Sequence, residues 1–298
     1  MNPNRLLEFF DVHRERAQPL VLATVFETRG SSYSKAGAQM LINEDGVFRG
    51  MLSGGCLEGD LAVRARVVLE SGTAQTASYD LANDDELWGL GVGCDGMMRI
   101  FLQPLRPEDD YAPFAAIADI LRGHRSQQFT IPYDGESPGE LVFVVEPPPQ
   151  VLVLGAGLDA EPFVRIASEL GWRCTVVDHR PAYIDSGNFS AAIATHCIAT
   201  DELADNLDLS RYQMAIVMSH HLGSDRSYLK QLAETDMAYI GLLGPLNRRQ
   251  RLLAEIGPAA GKLEDRLYGP AGLDIGGRGP EVIALSIVAQ MQQALALA

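Results

Sequence analysis

The apolar run Val151–Leu154, followed by Gly155-Ala156-Gly157-Leu158-Asp159-Ala160, constrains the fold more than any other stretch of the chain. A short, wholly apolar strand entering a glycine turn is the pattern of a strand buried on both faces of a parallel sheet. The turn matches G-x-G-x-x-A, and a helical pattern follows over Asp159–Gly171. Asp178 stands 23 residues after Gly155, at the end of the strand CTVVDHR, where an acid bonds a ribose hydroxyl. Strand, turn, helix and acid together predict a Rossmann-like domain. They leave open whether it holds NAD(P) or another nucleotide, because the same geometry also serves as scaffold. Asp159 puts an acid where a pyrophosphate would lie, and Arg180 is placed to touch an adenine or a 2′-phosphate.

The alternation of strand and helix continues through IATHCIA, QMAIVMSHH, a helix near Tyr228–Glu234, AYIGLLG and the helix PLNRRQRLLAEIG. A long apolar-faced helix, PEVIALSIVAQMQQALALA, closes the chain with Pro280 in its first turn. Upstream, Glu146-Pro147-Pro148-Pro149-Gln150 is a stiff linker that separates residues 1–146 from residues 151–298. The first segment reads differently. A helix over Asn4–Ala17 puts Leu6, Phe9, Phe10 and His13 on one side, with His13 at its edge. Strands LVLATVFE, AQMLIN and VFRGML follow, the last two around the hairpin signal Asp45-Gly46. A helix over Leu57–Ser71 should turn Leu61, Val67 and Val68 inward and end at Gly72. AQTASYDL and MMRIFLQPL read as strands, then a helix over Tyr111–Arg122 and the strands QQFTIPY and LVFVVE. The expected class is α/β: an N-terminal α+β domain followed by a C-terminal Rossmann-like parallel-sheet domain.

Charge and composition remove whole function classes. A formal net charge of −15 argues against binding nucleic acid or an anionic membrane surface, either of which needs a basic face. No apolar run approaches the roughly 18 residues that span a bilayer. The start of the chain reads as an amphipathic helix rather than a leader, and four cysteines suit a reducing cytoplasm better than a disulfide scaffold.

The chemistry-bearing candidates fall into two groups. In the first domain, Ser53-Gly54-Gly55-Cys56-Leu57-Glu58 runs two glycines into a cysteine at a helix start, a field that favours an anion. The alternative is a turn with a small buried thiol. Cys94 follows glycines in the loop ANDDELWGLGVGCDG, and Ser31, Ser32 and Ser34 lie in another glycine-bounded loop. Three such loops with free N–H groups could hold an anionic, phosphate-bearing ligand beside a thiol. In the second domain, His220 or His221 with Asp225, at a strand end, is a candidate metal or acid–base pair against plain loop histidines. Arg248, Arg249 and Arg251 form either an anion site at a helix start or a solvated helix face. Cys174 and Cys197 lie in strands and read as structural. No P-loop, Ser-His-Asp elbow or zinc spacing is present.

Taken in order, GSSYSKAGAQM, SGGCLEGDL, GLGVGC, VLVLGAG, VVDHRP, MSHHLGSD, YIGLLGP and GPAGLDIGGRGPEVIALSIVAQM resemble the XdhC/CoxI family over about Leu20 to Gln290. These are accessory proteins for xanthine dehydrogenase and related molybdenum hydroxylases. The resemblance implies a chaperone that binds molybdenum cofactor (molybdopterin) as cargo and guards it while a cysteine desulfurase supplies the sulfido ligand. The cofactor then passes to the apo molybdenum hydroxylase. By position it implies Cys56 as thiolate ligand to molybdenum or as sulfur relay, with Cys94 as the second reactive thiol. It places Ser31, Ser32, Gly54, Gly55 and Glu58 around the cargo, and Gly155, Gly157, Asp178, His220 and Asp225 in the Rossmann domain. Glu58 would bond pterin nitrogens or complement its helix N-terminus. The competing class is an NAD(P)-dependent oxidoreductase with His220 as acid–base, and a third reading is a nucleotide-responsive regulator. The apolar C-terminal helix admits a homodimer, with core packing as the alternative.

Overall fold

The computed structural model describes residues 2–80, 96–133 and 139–297, and the chain divides into two compact units, Met1–Pro147 and Pro148–Ala298. In the first unit, α1 (Pro3–Glu15) leads into β1 (Leu20–Arg29), β2 (Gln39–Asn43) and β3 (Phe48–Gly50). Then come α2 (Glu58–Ser71), β4 (Gln75–Asp80), β5 (Met97–Leu105), α3 (Phe114–Arg122), β6 (Gln127–Tyr133) and β7 (Gly139–Val145). An antiparallel sheet has the order β3-β2-β1-β5-β4, and β6 pairs with β7 as a separate hairpin.

Strand β1 shows why both faces of this sheet are covered. Leu20 and Leu22 enter a cluster with Phe10 and Phe114 from α1 and α3. Val21, Ala23 and Val25 enter another with Leu61, Ala65 and Val68 of α2. Period-two alternation thus feeds two cores, and each buried aliphatic side chain contributes about 2 kcal/mol relative to exposure. A bulge between Val25 and Glu27 shifts the β1–β5 register just before the GSS loop, re-aiming the strand end. Two expectations change here. Val67 is 46% exposed and Ala65 takes the inward position, because α2 is apolar on more than one side and only one side meets the sheet. His13 is buried: one ring nitrogen meets the Phe9 carbonyl at 2.7 Å and the other the Asn43 amide at 3.3 Å, tying α1 to β2.

The second unit comprises β8 (Gln150–Leu154), α4 (Ala160–Glu169), β9 (Arg173–Asp178), α5 (Pro181–Ser186), β10 (Ala194–Cys197) and α6 (Leu203–Asn206). It continues with β11 (Met214–Val217), α7 (Leu222–Leu232), β12 (Tyr239–Leu242), α8 (Leu246–Ile256), β13 (Leu267–Tyr268) and α9 (Pro280–Leu297). The strands are parallel in the order β10-β9-β8-β11-β12-β13. Val151 and Val153 of β8 face one core, Leu152 and Leu154 the other, so both faces of the strand are covered. Chain order reverses between β8 and β11, and ligands in such sheets sit at the strand ends of this switch point. Helix α7 begins at Leu222 rather than near Tyr228, because His221 caps it: its Nδ1 accepts from Ser224 N at 3.2 Å. Among the described residues no helix is long and apolar enough to cross a membrane.

Candidate functional site

The loop before α2 is built around one carboxylate. Glu58 is 2% exposed, and its Oε1 accepts from Leu52 N and Ser53 N, each at 2.9 Å. Its Oε2 accepts from Gly55 N at 3.0 Å and from Ser53 Oγ at 2.5 Å. Ser53 Oγ in turn accepts from Leu57 N at 2.8 Å. Burial raises the Glu58 pKa, but the bonds from Ser53 and the backbone of Ser53 and Leu52 outweigh it, holding the carboxyl below its usual range. All four lone-pair directions of this carboxylate are therefore spent on the loop. The N–H groups of Gly54 and Cys56 keep no partner among the described residues. Gly54 and Gly55 adopt φ of +82° and +116°, the left-handed region that this tight path requires. Cys56 emerges as a free, half-buried thiol.

The structure brings this loop against the GSS loop. A Cβ on Gly54 would lie 3.3 Å from the Tyr33 ring, and Ser34 Oγ donates to the Met51 carbonyl at 3.3 Å. Ser31 is exposed, while Ser32 Oγ donates to the Ser34 carbonyl at 2.9 Å. A Cβ on Gly96 would lie 2.2 Å from the Ser31 carbonyl oxygen, so the chain re-enters the sheet in contact with the same loop. Cys94 itself lies outside the described residues. Tyr33, Ser34, Lys35 and Met51 line an open cleft of about 570 Å³, within the range of small-molecule sites, with Lys35 as its cation. Asp60, two residues past Glu58, accepts from Arg64 Nε and from Tyr79 hydroxyl, each at 2.6 Å, pinning α2 to β4.

At the switch point of the second unit, the candidates are drawn into internal pairs. Gly155 has φ +122°, and a Cβ there would lie 2.6 Å from the Met218 carbonyl, so only glycine lets β8 pass β11 this closely. Asp178 is fully buried; its Oδ2 accepts from Ala156 N at 2.9 Å and Arg180 Nη2 at 2.8 Å. Its Oδ1 accepts from Arg180 N and Nε, both at 2.9 Å. Burial raises the Asp178 pKa, and the bonds from Arg180 and Ala156 override it, so the carboxyl titrates below its usual range. His220 takes φ +58° and its Nε2 meets Asp159 Oδ2 at 2.9 Å, beside Gly157. The Asp225 carboxylate meets neither imidazole, although its backbone N–H donates to the His221 carbonyl at 2.9 Å. It is buried, bonded by the Ser219 hydroxyl and by Arg248 Nη2 at 2.5 Å. Arg249 donates to the Leu267 carbonyl and Arg251, still 66% exposed, pairs with Glu255, so each of the three arginines has a partner within the protein.

Cys174 is buried and burial pushes its thiol up to about 12, in keeping with a structural role. Cys197 is exposed, because β10 is the sheet edge. Two residues that shape the site have no role that the sequence pattern assigns, Ser53 within its motif and Tyr33 in the GSS loop. The available signal for Ser53 was a helix-start carboxylate reaching back to preceding N–H groups, as in a capping box but across a longer loop. Nothing in the pattern marked Tyr33. Among the described residues no group of three or more His, Cys, Asp or Glu side chains could hold a metal ion, so Cys56 stands as a single thiol donor.

Comparison with known proteins bears on both units. Residues 151–291 match the XdhC Rossmann domain and residues 13–80 match the XdhC and CoxI family. The chain is 30% identical to a protein of Bacillus subtilis described as a probable subunit of xanthine dehydrogenase, over 95% of each protein. It is 23% identical to the molybdenum cofactor insertion chaperone PaoD of Escherichia coli, over 91% of this chain and 82% of PaoD. The crystal structure of a xanthine dehydrogenase from Bacillus halodurans matches with TM-score 0.82 at 31% identity, covering 97% of this chain and 95% of that one. The identity extends through both units and the fold agrees, and the chain belongs to the XdhC and CoxI family.

Proposed function

We propose that this protein binds molybdenum cofactor as cargo in its first unit, supports its sulfuration and delivers it to a xanthine dehydrogenase-type molybdenum hydroxylase. The observation that carries this reading is the free Cys56 thiol, set at the start of α2 by the Glu58-bonded loop and flanked by the GSS loop. A soft thiolate suits molybdenum and sulfur better than an oxygen donor does. The N–H groups of Gly54 and Cys56, the hydroxyls of Ser31 and Ser32 and the Lys35 ammonium supply donors for a pterin phosphate. Gly55 shapes the loop, and Glu58 acts by holding it open rather than by touching the pterin. In this reading Cys94 is the second thiol. A cysteine desulfurase supplies the sulfur, and the work takes place in the cytoplasm.

The relatives support the same reading by their names, one belonging to xanthine dehydrogenase and the other a molybdenum cofactor insertion chaperone. The test is retention of cargo. Full-length protein is mixed with molybdenum cofactor, passed through a gel-filtration column and assayed for molybdenum. Co-elution by wild type and its loss in Cys56→Ala is the expected result, and equal retention by the two removes Cys56 as ligand. Incubation with a cysteine desulfurase and cysteine, followed by intact-mass measurement, separates the two roles of the thiol: a relay gains one sulfur at Cys56, a pure ligand does not.

A further inference from the structure

The second unit has the strand order, the glycine turn and the terminal acid of a dinucleotide site, yet the acid is fully engaged and the turn carries a carboxylate of its own. We propose that its crevice is closed to NAD(P) by the chain's own side chains: Arg180 occupies Asp178 in place of a ribose, and the His220–Asp159 pair stands where a diphosphate would cross the glycine turn. This inference is independent of the molybdenum reading.

The ribose position is the clearest. A ribose diol binds by donating to a carboxylate lone pair. Asp178 offers four such directions, and four N–H donors fill them: Arg180 N, Nε and Nη2, and Ala156 N, all at 2.8–2.9 Å. The Arg180 guanidinium also lies 3.6 Å from the centroid of Tyr183, covering a ring face on which an adenine could otherwise stack. Displacing it would uncover a fully buried carboxylate and break a bidentate pair, which is the costly kind of exchange.

The diphosphate position is closed by charge rather than by occupancy. Anion binding at this turn needs unspent N–H groups and a positive local field. Gly155 N, Ala156 N and Ala160 N are spent on Val177, Asp178 and Gly157, whereas the N–H groups of Gly157, Leu158 and Asp159 keep no partner among the described residues, so exclusion here rests on the field. Asp159 projects a carboxylate at the turn, held there by His220, and Glu161 lines the adjoining cleft of about 310 Å³. Two acids face the path of an anionic ligand. The His220–Asp159 pair is itself half-exposed and weak, but opening it uncovers Asp159 and leaves the repulsion in place.

The test is a fluorescence titration of the full-length chain with NADH, with NADPH in parallel. Wild type should give no saturable signal up to about 1 mM. Asp159→Asn/Arg180→Ala, which removes the acid at the turn and frees Asp178, should gain saturable binding. Saturable binding by wild type overturns the proposal. So does a folded double variant that stays as flat as wild type, since exclusion would then not reside in these pairs. Circular dichroism checks the fold. If the double variant is unfolded, Asp159→Asn/Arg180→Lys, which keeps a cation beside the buried Asp178 but gives up the bidentate pair, is read by the same criterion.

Discussion

Ser53 and Glu58 hold each other in a closed circuit: the serine hydroxyl donates to the carboxylate and accepts from Leu57 N, while the same carboxylate accepts from the serine's own N–H. The thiol of Cys56 is thereby positioned by a residue that has no free lone pair to offer a ligand.

Removing that carboxylate should therefore cost stability. Glu58→Ala leaves the N–H groups of Leu52, Ser53 and Gly55 without their acceptor, and the expected loss is about 3 kcal/mol. Urea unfolding followed by circular dichroism measures it. A loss below about 0.5 kcal/mol would mean the loop keeps its shape by other means.

The pH dependence has a definite sign. Glu58 titrates lower folded than unfolded, so its contribution is complete above the ordinary range of about 4.3 and fades as pH falls through the folded pKa. The stability gap between wild type and Glu58→Gln should accordingly narrow as unfolding is repeated from pH 7 down to pH 3. A gap that stays constant contradicts the assignment.

The thiols should separate by access. Under native conditions at neutral pH, iodoacetamide should modify Cys56 and Cys197 and spare Cys174, which is buried with its pKa pushed up to about 12. Peptide mass mapping before and after urea treatment reads the difference. Native labelling of Cys174 at a rate matching Cys56 would contradict the burial.

Two glycines test the difference between crowding and backbone strain. At Gly155 an alanine Cβ meets the Met218 carbonyl at 2.6 Å, whereas at Gly55 it meets nothing within 4 Å, and both have positive φ. Gly55→Ala should lose about 1–2 kcal/mol and Gly155→Ala clearly more, because backbone rather than a flexible tip stands in its way. Paired thermal melts rank them. An equal loss would mean that strain alone sets the cost.

In the second unit, Asp225→Ala should be among the more damaging single changes. It strands Arg248, while the Ser219 hydroxyl keeps the His221 carbonyl at 3.2 Å, at a cost of about 3 kcal/mol. Arg248→Met in the same background should recover part of the loss, because the uncompensated charge is gone. No recovery in urea unfolding would argue that Ser219 carries the interaction.

The parts of the molecule that are legible in the sequence share a physical property: they are encoded locally. Strand β8, its glycine turn and Asp178 follow from apolar runs and spacing, and Gly72 ends α2 with φ +71° as its position implies. What stays illegible depends on where hydrogen bonds go across the fold. His220 meets Asp159 from 61 residues away, a pairing that no spacing rule contains. The exposure of Cys197 depends on β10 being an edge strand, which follows from strand order rather than from ATHC. The outward turn of Val67 has a further cause: residues 57–71 are apolar on more than one side, so periodicity defines no unique inward face.

Asp80 at the end of β4 pairs directly with Met97 at the start of β5. Gly96, just before that rung, lies so close to the GSS loop that a Cβ there would stand 2.2 Å from the Ser31 carbonyl oxygen. Position 96 is thus fixed as glycine for any redesign of the GSS loop, whose Ser31 carbonyl takes the space a side chain would need.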